Sequence, residues 1–200
     1  MNHVFRNITF AGAILALAAC ADAPVPTSAA PSPSTRAAQS SPSAQQGVVV
    51  LHDECDAATF NAQFGAGTCT RTGPGVTLAN FVAKVTALQS FPAWRMTPTD
   101  LNLNVGDTFS AKNIGGEVHT FTEVAAFGGS INPVLNPIIG NHPPAPECLA
   151  LAPQDLLNPG TSSAPDNADQ AGDELYQCCI HPWMRTVIHI HSTTSTGDSR

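Results

Sequence analysis

One short loop near the carboxyl end of the chain carries three side chains that bind transition metals. Cys178, His181 and Met184 follow the spacing Cys-x2-His-x2-Met within the sequence YQCCIHPWM (176–184). A thiolate, an imidazole and a thioether suit a copper ion that alternates between Cu(I) and Cu(II). A trigonal site of this kind takes two imidazoles, so the chain must fold in a way that brings a distant histidine to this loop.

The best candidate for the second imidazole is His119, which lies in the sequence GGEVHTFT (115–122). It is well upstream of the loop, as a ligand must be when a metal is held between two parts of a fold. The four side chains would then supply two ring nitrogens, one thiolate sulfur and a weak axial thioether.

These segments together resemble the cupredoxins. The sequence GDTFSAKN (106–113), the run HTF (119–121) and the Cys-x2-His-x2-Met loop follow one another as in that family. The short ligand loop, with its His-Pro-aromatic-Met-Arg order, is most similar to the amicyanin and plastocyanin branch. The resemblance covers residues 77–191. The Cys-x2-His-x2-Met pattern alone is only moderately specific for this family, whereas the three segments combined are a strong indication.

The resemblance implies an all-β fold, a Greek-key β-sandwich with a long Pro-rich loop insertion. It implies one type 1 copper and a protein that carries electrons and is not an enzyme. The partners would be transient redox proteins of the cell envelope, and no small-molecule substrate is expected. The copper ligands carried over residue by residue are His119, Cys178, His181 and Met184.

The resemblance also assigns roles around the metal. His181 is expected to be the ligand nearest the surface, and together with Pro182 and Trp183 it would form the electron port and docking patch. Backbone amides near Asn113 and Thr120 are expected to donate hydrogen bonds to the thiolate sulfur, because such bonds tune a metal centre.

Short apolar and polar alternations separated by Gly, Pro and Asn predict half-buried strands. In the clearest case, Leu101, Leu103 and Val105 alternate with two asparagines. A single helical turn is predicted at 56–64. Trp94 is assigned to the core. His52, Asp53 and Glu54 are assigned to a solvated loop. Strands are predicted at 47–52, 81–86, 94–96, 101–105, 108–112, 118–124, 174–178 and 185–191.

The first twenty residues predict an export signal. Arg6 supplies a weakly basic start, and the apolar run 8–19 is too short to span a bilayer. The run ends in LAAC, which resembles the bacterial lipobox and makes Cys20 the lipidated mature N-terminus. The alternative is ordinary cleavage after Ala21, which leaves a chain that starts at Asp22. Both place the domain outside the cytoplasm, and the lipobox predicts a lipoprotein anchored on the periplasmic side of a membrane.

The rest of the chain divides by composition. Residues 21–46 are nearly all Ala, Pro, Ser, Thr and Gln, which predicts a disordered linker. An N-terminal strand and a disulfide loop occupy 47–76, the cupredoxin-like domain 77–191, and a polar tail 192–200. Within that domain, 127–173 carries eight prolines and is expected to be a long loop, which inside a compact domain is usually functional.

Export implies an oxidising compartment, where cysteines pair. With Cys20 assigned to lipid and Cys178 to copper, as the resemblances imply, four of the six cysteines remain. The economical pairing joins Cys55 to Cys69 and Cys148 to Cys179. Two alternatives stay open: Cys179 is the copper ligand and Cys178 forms the disulfide, or both are in disulfides and His181 is a loop residue.

Composition limits the other functions. Acidic residues outnumber basic ones 15 to 8 and the formal net charge is −7, so nucleic acid is not an expected partner. Zinc is disfavoured because its sites take paired cysteines or His-rich spacing and no methionine. His189 and His191, on one face of the last strand, are a weak candidate for a second metal site. The alternative function is a cupredoxin-fold module that holds copper or binds a protein without carrying electrons.

Overall fold

The computed structural model describes residues 44–193. The predicted signal segment with Cys20, the linker up to residue 43 and the tail from residue 194 lie outside the described residues. The helices are α1 (Ala57–Phe64), α2 (Leu78–Leu88) and α3 (Leu135–Ile138). The strands are β1 (Gln46–His52), β2 (Arg95–Thr97), β3 (Asp100–Asn104), β4 (Thr108–Asn113), β5 (His119–Thr120), β6 (Thr122–Val124), β7 (Leu156–Leu157), β8 (Asp166–Asn167), β9 (Gly172–Gln177) and β10 (Arg185–His191).

The first of two four-stranded sheets has the order β2-β1-β4-β8. Strand β1 pairs antiparallel with β2 and parallel with β4, in a register that runs from Gln46 opposite Thr108 to Leu51 opposite Asn113. The segment 47–76 is therefore continuous with the sandwich through its first strand.

The second sheet has the order β3-β10-β9-β6. Strand β10 is central in it, parallel to β3 and antiparallel to β9. A separate two-stranded sheet joins β5 to β7 and fixes His119 opposite Leu157. The strand that carries His119 is thus held by the long segment that follows it.

Alternate side chains of both sheets meet in one apolar core, which is what the predicted alternation requires. Strands β1 and β4 bury Val49, Leu51, Phe109 and Ala111, and the second sheet buries Leu103, Tyr176, Ile188 and Ile190 in the same cluster. Trp94 is 1% exposed and belongs to that core, as predicted. The prediction of an all-β sandwich is confirmed.

The predicted strand at 81–86 is wrong, because this segment lies in helix α2. Thr77 caps the helix by accepting a hydrogen bond from the Asn80 amide. Phe81 and Val85 are buried and Ala83 is exposed. Apolar residues at i and i+4 fit a period of two as well as a period of 3.6, so this short segment carried no periodicity that separates strand from helix. The predicted turn at 56–64 is the longer helix α1.

Two other predictions need correction. The strand predicted at 118–124 is interrupted at Phe121, which separates β5 from β6. The insertion 127–173 is predicted to lack regular structure, but it contains α3, two 3-10 turns (Glu147–Ala150 and Pro153–Asp155), β7 and β8.

No helix within residues 44–193 is both long enough and apolar enough to cross a membrane.

Two disulfides connect the described cysteines. Cys55 is bonded to Cys69, and Cys148 is bonded to Cys179. Cys178 is the free cysteine among the described residues, and it is buried. The second disulfide ties the insertion to the residue next to Cys178.

Removing the Cys148–Cys179 disulfide should destabilise the domain. The double variant Cys148→Ser with Cys179→Ser opens a loop with a sequence separation of 31 residues. Chain entropy predicts a loss of about 3 to 4 kcal/mol in the free energy of unfolding, measured by denaturant titration. The matched control, Cys55→Ser with Cys69→Ser, opens a separation of 14 residues and should cost about 3 kcal/mol. An unchanged midpoint in the first double variant would contradict the prediction.

Candidate metal centre

Three predicted ligands from two distant parts of the chain meet inside the sandwich. Cys178 Sγ lies 3.7 Å from His119 Nδ1 and 3.9 Å from His181 Nδ1. The two imidazole rings are 5.2 Å apart between centroids. All three side chains are buried, and His181 is the most exposed of them at 3%. The geometry therefore presents two ring nitrogens and one sulfur to a common point.

The spacing of these donors fits a metal ion. Nitrogen and sulfur ligands bind first-row metals at about 2.0 to 2.3 Å, so three donors in one plane need to lie about 3.5 to 4.0 Å apart. The two sulfur–nitrogen distances, 3.7 and 3.9 Å, lie in that range. One thiolate with two imidazoles is also the donor set of a trigonal copper site.

The ligand loop between β9 and β10 is closed by its own backbone. The Cys178 amide donates to the carbonyl of Met184, and the Met184 amide donates to the carbonyl of His181. Met184, the predicted axial ligand, is completely buried and belongs to the same core cluster as Cys178. These two backbone hydrogen bonds therefore fix the positions of Cys178, His181 and Met184 relative to one another.

The two adjacent cysteines face opposite sides. Cys178 belongs to the main core, whereas Cys179 packs in a smaller cluster with Val124, Ala145 and Cys148. Successive residues of an extended chain alternate in this way. The structure thus places Cys178, and not Cys179, beside the two histidines.

Asn113, at the end of β4, positions the segment that leads to His119. Its side-chain amide donates to the carbonyl oxygens of Glu117 and Leu157, both at 2.8 Å. Its carbonyl oxygen accepts from the Gly115 amide at 2.9 Å. These buried bonds close the β4–β5 connection and bind it to β7.

One of the two expected donors to the thiolate is in place. The Thr120 amide points at Cys178 Sγ, 3.4 Å away. The Asn113 amide instead donates to the carbonyl of Thr161. The Thr120 hydroxyl also accepts a hydrogen bond from the Cys179 amide at 2.8 Å, so Thr120 contacts both cysteines of the loop.

The placement of Asp53 in a solvated loop is wrong. Asp53 is 3% exposed, and its Oδ2 lies 2.9 Å from His119 Nε2. The same oxygen accepts from the amides of Gly116 and Glu117. A sequence signal existed in Gly115, where a Cβ atom would collide with the Asp53 carboxylate. Glycine is favoured where the backbone must approach another group closely.

Glu117 is a second buried carboxylate that the sequence did not indicate. Its Oε2 accepts a 2.6 Å hydrogen bond from the indole N–H of Trp94 and lies 3.9 Å from His181 Nε2. Each histidine of the cluster therefore has its outer nitrogen turned toward a carboxylate. Burial raises the pKa of Glu117, and the nearby His181 opposes that shift.

The buried groups around Cys178 shift one another's protonation. Burial disfavours the Cys178 thiolate, but the two histidines outweigh it and hold the pKa of the thiol well below its usual value. Burial favours neutral His119, yet its hydrogen bonds to Asp53 and Cys178 raise the pKa of His119 to about 10. The pKa of Asp53 is lowered against burial by His119 and two backbone amides. The thiolate, which is the form that binds metals, is thus favoured.

Two other groups of possible ligands do not make comparable sites. Asp53 and Glu117 lie near Cys55, but Cys55 is in a disulfide. His189 lies on the sheet surface, where Asp173 and Asp100 contact its two ring nitrogens. His191 does not join it in any of the metal-binding groups found among residues 44–193.

His181 forms part of the floor of an apolar groove, which we call the His181 groove. Its volume is about 380 Å³. Pro182 is buried and Trp183 is half-buried, with its indole N–H bonded to the carbonyl of Trp94. The walls come from α1, α2 and the residues around α3, and they include Phe60, Phe64, Phe81, Val82, Val134 and Ile138.

No family model matches the chain, and no curated protein matches it. Similar solved structures include a purple cupredoxin from Nitrosopumilus maritimus, 14% identical over 72% of this chain and 98% of that chain, with a TM-score of 0.38. A reduced amicyanin mutant is 20% identical over 46% of this chain and 70% of its own, with a TM-score of 0.30. Another reduced amicyanin mutant is 18% identical over 51% and 78%, with a TM-score of 0.33. These neighbours are cupredoxins.

Replacing Asn113 should destabilise the segment that carries His119. In Asn113→Leu, an apolar side chain of similar size leaves two buried carbonyls and one amide without partners. We expect the free energy of unfolding to fall by on the order of 3 kcal/mol, measured by denaturant titration. Asn102→Leu, the same substitution at an exposed position of β3, is the control; it loses one solvent-exposed hydrogen bond to His191 and should change the free energy by less than about 1 kcal/mol. Equal effects of the two substitutions would count against this role of Asn113.

Proposed function

We propose that this protein is a mononuclear type 1 copper protein that transfers electrons in the bacterial cell envelope. The observation that supports it most is the meeting of Cys178 Sγ with the Nδ1 atoms of His119 and His181 in a buried core. Copper bound there supplies a one-electron Cu(II)/Cu(I) couple. The donors match that metal in number, softness and spacing.

The contribution of the protein is to hold the donors still. His119 is held on a paired strand and by Asp53, and Cys178 is held by the backbone bonds of its loop and by the Thr120 amide. Ligands fixed in this way change position little when the charge of the site changes. Met184, buried in the same loop, is the proposed axial ligand, whose role is to tune the potential.

The His181 groove is the proposed route for electrons. His181 is the most exposed of the three clustered ligands, and its ring contacts Phe81 and Trp183 at 6.2 and 5.5 Å between centroids. Apolar walls exclude water and suit brief encounters with a partner protein. Pro182 and Trp183, which follow His181 in the loop and line a second cavity, complete the proposed docking patch.

We also propose that the protein is exported and anchored through a lipid on Cys20. The apolar run that ends in LAAC supports this proposal. The proline- and serine-rich segment that follows would serve as the tether between the membrane and the domain. Two disulfides in the domain are compatible with an oxidising compartment.

Copper(II) added to the metal-free protein should produce an intense blue or green colour. The colour arises from charge transfer out of the Cys178 thiolate, so Cys178→Ser should abolish it in the visible absorption spectrum. Met184→Gln should retain the copper and shift the reduction potential, because the axial ligand tunes the site more than it holds the metal.

The matched control for the thiolate is the double variant Cys148→Ser with Cys179→Ser, which keeps Cys178. Its colour should persist in the folded protein. Colour that survives Cys178→Ser and is lost in the control would assign the ligand to Cys179. A colourless wild-type protein that still binds copper would reject electron transfer and favour a module that holds copper without a redox role.

The lipid proposal has its own test. Mass spectrometry of the membrane fraction should find a mature chain that begins at diacylated Cys20, and Cys20→Ser should release the protein from the membrane. Ser28→Ala, in the adjacent segment, is the control and should leave the anchor intact. An unmodified mature chain that begins at Asp22 would instead establish ordinary cleavage.

A further inference from the structure

The Asp53 carboxylate is buried and accepts hydrogen bonds on both of its oxygens. Its Oδ2 accepts hydrogen bonds from the amides of Gly116 and Glu117 at 2.8 and 3.0 Å, and its Oδ1 accepts from the Cys55 amide at 3.2 Å. The Arg71 side chain donates to the Asp53 carbonyl at 2.7 Å and fixes the backbone of the same residue. The position of this carboxylate is therefore set by contacts within the protein.

These contacts determine its charge. Oδ2 accepts from two backbone amides and Oδ1 from a third, and a protonated carboxyl oxygen is a poor acceptor for two N–H donors at once. An ionised carboxylate only accepts hydrogen bonds. Asp53 is thus a buried anion, and the His119 nitrogen 2.9 Å from its Oδ2 must be an N–H donor.

That donor fixes the orientation of the ring. With Nε2 protonated and bonded to Asp53, the other nitrogen, Nδ1, is the one that faces Cys178 Sγ. Carboxylates that accept from the outer nitrogen of a ligand histidine fix its tautomer and increase its basicity. A full negative charge behind the ring also favours the more positive of two metal oxidation states.

We propose that Asp53 is a positioning residue that orients His119 toward the metal and lowers the reduction potential of the centre. This inference rests on the proposed copper function. It adds to that function a charged group outside the ligand set, from a part of the chain that precedes all four proposed ligands. Asp53 acts through His119 and does not touch the metal.

The substitution Asp53→Asn removes the negative charge and leaves a side chain of nearly the same shape. An amide oxygen in place of Oδ2 can still accept from His119 and from the two backbone amides, whereas the amide nitrogen in place of Oδ1 gives up the 3.2 Å bond from the Cys55 amide. The contact with His119 is therefore kept while the charge is lost. We expect affinity for Cu(II) to fall about tenfold relative to Cu(I), which raises the potential of a one-electron couple by about 59 mV. The potential is measured by redox titration of the visible band.

The matched control is Asp107→Asn. Asp107 is also buried and also accepts from two backbone amides, those of Gln45 and Asn104, but it lies before β4. The β4 strand separates it from the cluster. The control should therefore leave the potential unchanged. Equal shifts in the two variants, or no shift in Asp53→Asn while the coloured centre still forms, would overturn the proposal.

A second readout does not depend on copper or on the folding of a variant. In the Zn(II)-loaded wild-type protein, the His119 Nε2–H resonance should be slow to exchange and shifted downfield by its carboxylate acceptor. Its absence from the NMR spectrum would refute the orientation. A protected Nε2–H in a protein that never forms a coloured copper centre would support the orienting role and reject the effect on potential together with the proposed function.

Discussion

The parallel pairing of β1 with β4 brings Asp53 and Asn113 to the segment that carries His119. It places Leu51 opposite Asn113, so the chain that leaves β1 runs beside the chain that leaves β4. Asp53 then meets the amides of residues 116 and 117. A slip of one residue would turn every side chain of β1 to the other face of the sheet. The carboxylate behind His119 therefore depends on the register of two strands that are distant in sequence.

The long insertion is part of the architecture of the site. Its two-residue strand β7 pairs with β5 and lies opposite His119. Its Leu157 carbonyl accepts from the Asn113 side chain, and Cys148 anchors it to the residue beside Cys178. The insertion thus contacts both halves of the candidate metal centre, which gives a structural reason for so many ordered residues in a segment rich in proline.

The features that the sequence could predict depend on residues that are close together in the chain or on recognisable motifs. The spacing from Cys178 to Met184 and the resemblance around His119 indicate the donors, and the parity of the cysteines indicates the disulfides. Helix α2 was missed because Phe81 and Val85 satisfy both periods. The role of Asp53 was missed because its burial depends on a strand register and on a glycine pair more than sixty residues away. Chain-distant contacts of this kind leave no periodic pattern in a single sequence.

The orientation of the neighbouring cysteines also affects whether the Cys148–Cys179 disulfide can exchange with the free thiolate of Cys178. A thiolate beside a disulfide can attack it and exchange partners, provided that its sulfur can reach the bond. Here the free sulfur of Cys178 lies in one core cluster and the bonded sulfur of Cys179 lies in the other, with the backbone between them. Attack would require the ligand loop to rearrange so that the Cys178 sulfur reaches the other cluster. The opposite orientation of the two side chains therefore protects a reactive thiolate and a disulfide from each other, although they belong to consecutive residues.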